Sequence, residues 1–346
     1  MNILQNCSMA NKPRSDGAKA ASWLPALFLL LAASAVLSIC LGAAPVTLRE
    51  LFQVLLGAAD PESAAYRIVL FVRLPRTLSA MLAGGALAVS GAIIQAVLNN
   101  ALASPNIIGV NSGAGLFALL CMALFPHTPY LQPVAAFLGA LVAALLVYAV
   151  AMKTGASRIT IVLTGVALGS ILSAGINAVT ILYPEAIVGA SGFMMGGFAS
   201  VTWGDLRFAA GYILTGFLAS LLLAHEMNVL NLGEDTAATL GMNVGLYRFL
   251  LIAAAAVLAG AAVSLAGLLG FVGLLVPHGA RMLVGNDSRF LIPACMLLGA
   301  AFVTACDFLA RVLFAPYELP AGIIMSFLGG PFFLYLLLKQ RRKINA

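Results

Sequence analysis

The chain contains about ten separate runs of apolar residues, each long enough to cross a lipid bilayer as an α-helix, which takes about 20 of them. Only 9% of its 346 residues are charged, whereas a soluble domain carries about 25%. The sequence therefore predicts an all-α polytopic membrane protein with the lipid bilayer as its environment. Its net charge of +6 is a matter of membrane topology and gives no reason to expect a nucleic-acid partner.

The apolar runs predict ten transmembrane spans. These are placed at 23–44, 70–97, 111–126, 131–152, 159–182, 205–225, 248–266, 268–284, 290–312 and 320–338. An even number of spans puts both chain ends on one side, and the positive charges of the two ends mark that side as the cytoplasm. The expected organisation is a cytoplasmic head over 1–22, a ten-helix domain over 23–338 and a basic cytoplasmic tail over 339–346.

One span has a sequence that breaks helices. The stretch Gly267–Arg281 carries three glycines in its first half and Pro277 in its second. Hydrocarbon tolerates such residues only where neighbouring helices or a water-filled cavity satisfy the freed backbone groups. We therefore expect this span to pack closely against a partner element or a path.

A faint internal repeat relates two other spans. Residues 82–91 read L-A-G-G-A-L-A-V-S-G and residues 258–267 read L-A-G-A-A-V-S-L-A-G. They lie in the second and seventh spans, which run in opposite directions. The pattern favours an inverted repeat of the kind common in transport proteins.

Three arginines fall on the outer side, where the charge rule disfavours them: Arg73, Arg76 and Arg311. They indicate either a task at the outer surface or pairing with lipid phosphate at the interface. Asp307 is the best candidate for an ion-coupling carboxylate within a span. It lies one helical turn before Arg311, so an ion pair between the two is the preferred interpretation.

Two longer connections have a pattern of their own. The outer segment 182–205 is rich in glycine and predicts a short helix that dips back toward the membrane. The cytoplasmic loop 226–247 contains Gly233 before two acidic residues and Gly241 eight residues later. This pattern predicts a short helix between the glycines. Such a helix on the membrane face suits contact with a partner protein, and a plain solvated connector is the alternative.

Motifs for catalysis are not found. The chain has no Gly-Lys-Ser/Thr phosphate loop, and its histidines (His127, His225 and His278) have no paired-ligand spacing. The five cysteines have no CxxC spacing, which argues against a metal or disulfide framework. We therefore expect no catalytic residue, no metal and no cofactor, and energy supplied by another protein.

Several motifs in a fixed order point to one family. They are R-L-P-R at 73–76, G-A-L-A-V-S-G-A-I-I-Q at 85–95, L-A-S-P-N-I-I-G-V-N-S-G-A at 102–114, A-A-T-L-G at 237–241, G-F-V-G-L-L-V-P-H-G-A-R at 270–281, G-N-D-S-R at 285–289, L-P-A-G-I-I at 319–324 and G-G-P-F-F at 329–333. With these motifs the chain from about Leu48 to Leu338 resembles the FecCD-type permeases. These are transmembrane subunits of ABC importers for iron–siderophore complexes, haem and cobalamin.

The resemblance implies a permease that works with other proteins in a prokaryotic cell membrane, the inner one where there are two. A second permease subunit, identical or homologous, would pair with it around one path. Two cytoplasmic ATPase subunits would drive transport, and an extracytoplasmic binding protein would deliver the cargo. A ferric siderophore is the expected cargo, with haem or cobalamin as the alternative. An ion-coupled secondary transporter that uses Asp307 is the rival from another class.

The resemblance also assigns roles to residues. The outer arginines Arg73, Arg76 and Arg311 match those that dock onto glutamates of the binding protein. The segment that contacts the ATPase contains Glu234, Asp235, Ala237, Leu240 and Gly241. The candidates for the inner gate are Asn100, Leu102 and Thr160. Here the chain departs from the family, because Ala101 stands where the family commonly has proline, and this puts the geometry of the gate in doubt.

Overall fold

The computed structural model describes residues 13–42, 46–153, 157–315 and 317–344, and within these ranges the protein is built from helices without strands. Seven helical segments in these ranges are long and apolar enough to span a membrane. Three shorter apolar helices, Val110–Leu124, Val272–Val284 and Ala321–Tyr335, lie at the remaining predicted spans. The prediction of an all-α polytopic membrane protein with ten membrane helices is confirmed.

The helices follow one another along the chain with short connections. In order they are α1 (Pro13–Cys40), α2 (Leu48–Leu55), α3 (Ala64–Arg67), α4 (Leu74–Leu98), α5 (Val110–Leu124), α6 (Gln132–Lys153), α7 (Arg158–Leu182), α8 (Pro184–Met195), α9 (Trp203–Leu222), α10 (Ala224–Asn231), α11 (Glu234–Thr239), α12 (Val244–Ala266), α13 (Val272–Val284), α14 (Ser288–Val312) and α15 (Ala321–Ile344). A π-helical segment, Ile68–Arg73, joins α3 to α4 without a break, and a 3₁₀ turn, Pro105–Ile108, precedes α5.

Helical structure extends into both predicted cytoplasmic ends, whose boundaries remain predictions. The first helix begins at Pro13, inside the head expected over 1–22, because proline fits the first turn of a helix and the following residues include good helix formers. Residues 1–12 lie outside the described part of the chain. At the other end α15 continues to Ile344, so much of the basic tail extends the last span as a helix.

Helix α4 lies at the centre, and small residues allow its neighbours to approach. Gly84 is so close to α14 that a Cβ there would overlap the carbonyl oxygen of Gly299. Against α12, the hydroxyl of Ser90 donates a hydrogen bond of 2.7 Å to the carbonyl of Ala255. Close backbone approach through small residues is how membrane helices pack. The two segments of the suggested repeat lie in α4 and α12, and their inverted relation remains a prediction.

The close approach of α4 to α13 predicts a strong response to one added methyl group. In Gly91→Ala the new Cβ would overlap the carbonyl oxygen of Gly273 on α13, so we expect the free energy of unfolding to fall by about 3 kcal/mol. The matched control is Gly211→Ala in α9, where a Cβ meets nothing within 4 Å. That change should leave stability equal or improved, since alanine favours helix. Thermal unfolding in detergent measures both, and equal effects would contradict the packing.

The glycine-rich span is broken, as its sequence predicted, but the break lies inside the expected span 268–284. Helix α12 ends at Ala266, residues 267–271 are not helical, and Phe271 has a left-handed φ of 63°. The freed backbone groups are satisfied by α8 and its exit. Leu268 N–H donates to Phe193 at 2.9 Å, and Gly197 N–H donates to Ala266 at 2.7 Å. The helix predicted in the segment 182–205 is therefore present as α8, and it caps the break.

Candidate functional site

A cluster of charged side chains lies where the first residues of α4 meet the last turn of α14, the end that the ten-span topology places outside. Arg76 binds Asp307 with two nitrogens: Nε lies 3.0 Å from Oδ2 and Nη2 lies 3.0 Å from Oδ1. Its remaining terminal nitrogen donates to Glu318 at 2.7 Å. Arg76 and Asp307 are buried, whereas the Glu318 side chain is 48% exposed.

The other two outer arginines are bound to the end of α1. Arg311 Nη2 donates to the carbonyl and hydroxyl of Ser38 at 3.0 and 2.8 Å, and its Nε lies 3.4 Å from Asp307. Arg73 donates to the carbonyls of Ile39 and Cys40. The predicted Asp307–Arg311 ion pair is thus present, but Arg76 is the closer partner of Asp307.

The three outer arginines are less accessible than the sequence analysis assumed. All three are buried and already hold partners within the chain, so they are not exposed charges, and their role in docking remains a prediction. Sequence reasoning missed Ser38 and Glu318. The sequence offered one signal for Glu318, which directly precedes the L-P-A-G-I-I motif. Its contact with Arg76 is seen in the structure alone.

The cytoplasmic loop 226–247 contains the predicted short helix. Helix α11 begins after Gly233, whose φ is 108°, and is followed by Gly241 with a φ of 85°, so the two glycines supply the backbone conformations that bound it. Asp235 and Leu240 are exposed and face away from the protein, whereas Ala237 is fully buried. This helix therefore presents one face outward and is seated by the other.

Glu234 binds two arginines of its own chain while 36% of its side chain stays exposed, and its role in coupling to the ATPase remains a prediction. Its carboxylate lies 2.9 Å from Arg158 Nε at the start of α7 and 2.7 Å from Arg248 Nη2 in the first turns of α12. Burial acts to raise the pKa of Glu234, but Arg248 and Arg158 outweigh it, and the pKa lies below its ordinary value. The stabilising ion pairs are therefore complete at neutral pH and are lost only as pH falls through that lowered pKa.

The three gate candidates lie at the same, inner end. Asn100 and Leu102 belong to the connection after α4, and Thr160 lies in the first turn of α7, where Ser157 caps the helix. Ala101 occupies the second position of a turn closed by a 3.0 Å hydrogen bond from Ala103 N–H to the Asn100 carbonyl. Proline is favoured at that position, yet the turn forms here with alanine.

Helix α7 has an exposed face that carries both polar and apolar side chains. A groove of about 470 Å³ follows it, lined by small and amide or hydroxyl side chains: Asn106, Ile107, Gly165, Val166, Gly169, Ser170, Ser173, Ala174 and Asn177. The helix also touches the Pro105–Ile108 turn, since a Cβ on Gly165 would overlap the Ile107 carbonyl oxygen. Among the described residues no group of three His, Cys, Asp or Glu side chains is arranged to hold a metal ion.

Comparison with known proteins identifies the family. Residues 30–339 match the FecCD transport family. The Fe(3+)-citrate import system permease protein YfmE of Bacillus subtilis is 36% identical over 318 residues, covering 92% of this chain and 95% of the relative. The hemin transport system permease protein HmuU of Yersinia pestis is also 36% identical, with 92% and 95% covered. The cobalamin import system permease protein BtuC of Halobacterium salinarum is 38% identical, with 96% and 100% covered.

A solved structure agrees with the arrangement of helices. It is an inward-facing conformation of a protein described as a metal-chelate type ABC transporter, with a TM-score of 0.82 and 30% sequence identity. The match covers 92% of this chain and 99% of the solved one. The chain belongs to the FecCD transport family and is a membrane-spanning permease of the ABC-importer type.

Proposed function

We propose that the protein is the non-catalytic permease subunit of an ATP-driven importer and carries a ferric siderophore inward by alternating access. One observation carries the proposal: the short helix α11 on the inner face is joined through Glu234 to α7, the helix that lines the polar groove. Movement of α11 by an ATPase would then shift the groove-lining helix directly. Asp235 on α11 and Leu240 directly after it, both exposed, would contact the ATPase.

The groove supports a bulky, already complexed cargo. Its lining of glycine, serine, asparagine and apolar side chains offers hydrogen bonds and space but no cluster of metal ligands. A chelate needs shape accommodation rather than direct metal ligation. Haem or cobalamin is the alternative cargo, and the relatives named for haemin and cobalamin keep it open.

Asp307 does not suit the rival mechanism of ion coupling. A coupling carboxylate must exchange a proton or sodium ion with water during the cycle. Asp307 is 1% exposed and is held by Arg76 and Arg311. Both carboxylate oxygens are held by guanidinium nitrogens of the same chain, so the carboxylate is suited to structure rather than to ion exchange.

The partner proteins follow from the same proposal. A second copy of this chain or a homologous subunit completes the path, two ATPase subunits bind the inner face, and an extracytoplasmic binding protein docks outside. In the outer cluster three guanidinium groups (Arg73, Arg76, Arg311) face two carboxylates (Asp307, Glu318). The excess positive charge favours an acidic patch on the binding protein.

Docking is tested by a variant that keeps the outer cluster folded. Arg73 donates to the backbone carbonyls of Ile39 and Cys40, so Arg73→Gln removes a positive charge while leaving a donor in place. We expect the affinity for the binding protein to fall about tenfold at low salt and less at high salt. Arg49→Gln, in the outer helix α2, is the control for a general loss of charge. Equal effects of both changes at every salt concentration would contradict docking through the cluster.

Cargo is tested by uptake into proteoliposomes that contain the permease complex, with the binding protein outside and ATP inside. A labelled ferric siderophore, haem and cobalamin are compared at equal concentration. Accumulation of the ferric siderophore above the other two supports the proposal. Preferential accumulation of haem or cobalamin replaces the cargo with that compound.

A further inference from the structure

A buried glutamine at the inner end of α4 joins three elements that no apolar residue could join. Gln95 is 2% exposed and lies in the last turn of α4, where the neighbouring residues of the helix are apolar. A buried amide without hydrogen bonds would be costly. Both the NH₂ group and the oxygen of this amide therefore need hydrogen-bond partners, and both have them.

The amide of Gln95 binds both the loop after α4 and helix α13. Its Nε2 donates to the Ala103 carbonyl at 3.1 Å and lies 3.4 Å from the Gly273 carbonyl, at the start of α13. Its Oε1 accepts from Nη1 of Arg281, near the end of the same helix. One side chain thus holds the loop against both ends of α13.

The loop over 99–104, here called the inner loop, is a compact unit whose residues 99–101 are exposed and whose Ala103 is buried in the core. Asn99 is left-handed with a φ of 45°, and Leu102 N–H donates to the Asn100 side chain at 2.9 Å. Together with the turn between Asn100 and Ala103, these bonds fold the inner loop on itself. It can therefore move as one piece once its attachment at Ala103 is released.

A cavity beside the inner loop leaves room for such movement. It measures about 620 Å³ and is lined by Ala101, Arg281 and five amide side chains. The amides are those of Gln95, Asn99, Asn100, Asn231 and Asn286. Its lining is polar enough to hold water. Water could replace the hydrogen bonds that the inner loop gives up when it leaves Gln95.

The far side of the cavity leads to the helix expected to contact the ATPase. Asn228 in α10 donates to the Asp287 carboxylate at 2.8 Å and accepts from Ser288 N–H at 2.8 Å. Asp287 caps the start of α14, three residues after α13 ends at Val284, and two residues separate α10 from α11. These bonds connect α10, the neighbour of α11, with the segment that follows α13, and Arg281 holds Gln95 from the last turn of α13.

We propose that Gln95 is a positioning residue that latches the inner loop closed, and that movement of α13 through Arg281 releases it. The inference rests on the proposed importer function for its purpose, but the latch itself is a property of this chain alone. Gln95 touches no cargo in this mechanism. It sets how often Asn100 and Leu102, the gate candidates, leave the closed position.

The test measures exposure of the inner loop in the full chain in lipid nanodiscs, with no cargo, ATPase or binding protein added. A cysteine is placed at Leu102→Cys with Cys7→Ser, and its labelling by a membrane-impermeant maleimide is timed. The cysteines at 40, 121, 295 and 306 are buried and give a low background. We expect Gln95→Met to speed labelling about tenfold, because the bonds to Ala103 and Gly273 are lost.

Three further variants separate latching from general loosening. Gln95→Glu keeps an acceptor for Arg281 but cannot donate to Ala103, so it should speed labelling as much as Gln95→Met. Arg281→Met should add nothing to Gln95→Met, because both act on one latch. Ser90→Ala removes a buried hydrogen bond from the same helix to Ala255 and should leave labelling unchanged.

The outcomes are distinct from those of the importer test. Unchanged labelling in Gln95→Glu, or equal acceleration by Ser90→Ala, would overturn the latch while leaving the importer function untouched. Multiplying effects of the Gln95 and Arg281 changes would overturn the shared mechanism. Each variant is first checked for monodispersity and its melting temperature, and Gln95→Asn serves if Gln95→Met fails to fold, with the same accelerated labelling expected because the shorter amide cannot reach Ala103.

Discussion

Asp307→Asn is expected to lower the free energy of unfolding by about 3–5 kcal/mol, the usual result of breaking a buried ion pair by removing one partner. The carboxylate is 1% exposed and is shared by Arg76 and Arg311. Asparagine would leave two buried guanidinium groups facing each other without their common counter-charge. Denaturant or thermal unfolding of the purified permease in detergent measures the loss.

Glu318→Gln is the matched control for Asp307. It removes a carboxylate from the same arginine, but the Glu318 side chain is 48% exposed, so water can solvate the partner and we expect a loss of about 1 kcal/mol or less. The ion-coupled rival predicts a different outcome. It requires Asp307→Asn to be stably folded and to lose transport, and that combination would count against the structural role argued here.

Glu234→Gln is expected to cut transport about tenfold while ATP hydrolysis stays within about twofold, because the loss of two charge-assisted contacts weakens one mechanical connection. Arg158 and Arg248 bind this carboxylate from α7 and α12. Without its charge α11 can still receive the ATPase but moves the path-lining helix less. The measurement is the number of cargo molecules imported per ATP hydrolysed in proteoliposomes.

The neighbouring carboxylate supplies the comparison. Asp235 is exposed on the outward face of α11, so Asp235→Asn should weaken binding of the ATPase and leave the ratio of cargo to ATP unchanged in complexes that do form. The account of Glu234 would be wrong if Glu234→Gln behaved in the same way, with reduced ATPase binding and an unaltered ratio.

The sequence anticipated those features that depend on local pattern. Apolar length predicted the ten membrane helices, and Gly233 and Gly241 bounded α11 because glycine adopts the positive φ angles found there. The glycines of the broken span predicted that a neighbour would satisfy its backbone, and α8 does so through Phe193. In each case the pattern lies within one segment, although the sequence did not indicate that α8 would be the neighbour of the broken span.

Partners that are distant in the chain could not be predicted. Arg76 and Asp307 are separated by 231 residues, and Gln95 and Arg281 by 186. The rule for charge and sidedness places an arginine at one membrane face but does not say which carboxylate meets it. The prediction that the outer arginines dock a binding protein therefore did not include their burial together where α1, α4 and α14 pack, and docking itself remains a prediction.

The choice of partners for Glu234 illustrates the same limit. Its position after Gly233 predicts the start of a helix, and acidic residues are favourable there. That preference does not reveal whether the side chain faces a partner protein or its own fold. The direction of the side chain is set by Arg158 and Arg248, which come from two other helices.

The central claim is that ATP hydrolysis on the inner face drives transport through this chain, and the most direct test is the energy source of uptake. Proteoliposomes with the permease, its ATPase and the binding protein receive a labelled ferric siderophore, with ATP inside or with a proton or sodium gradient instead. The account predicts accumulation that needs ATP and the binding protein and is unaffected when the gradients are collapsed. Accumulation driven by an ion gradient without the ATPase would contradict it.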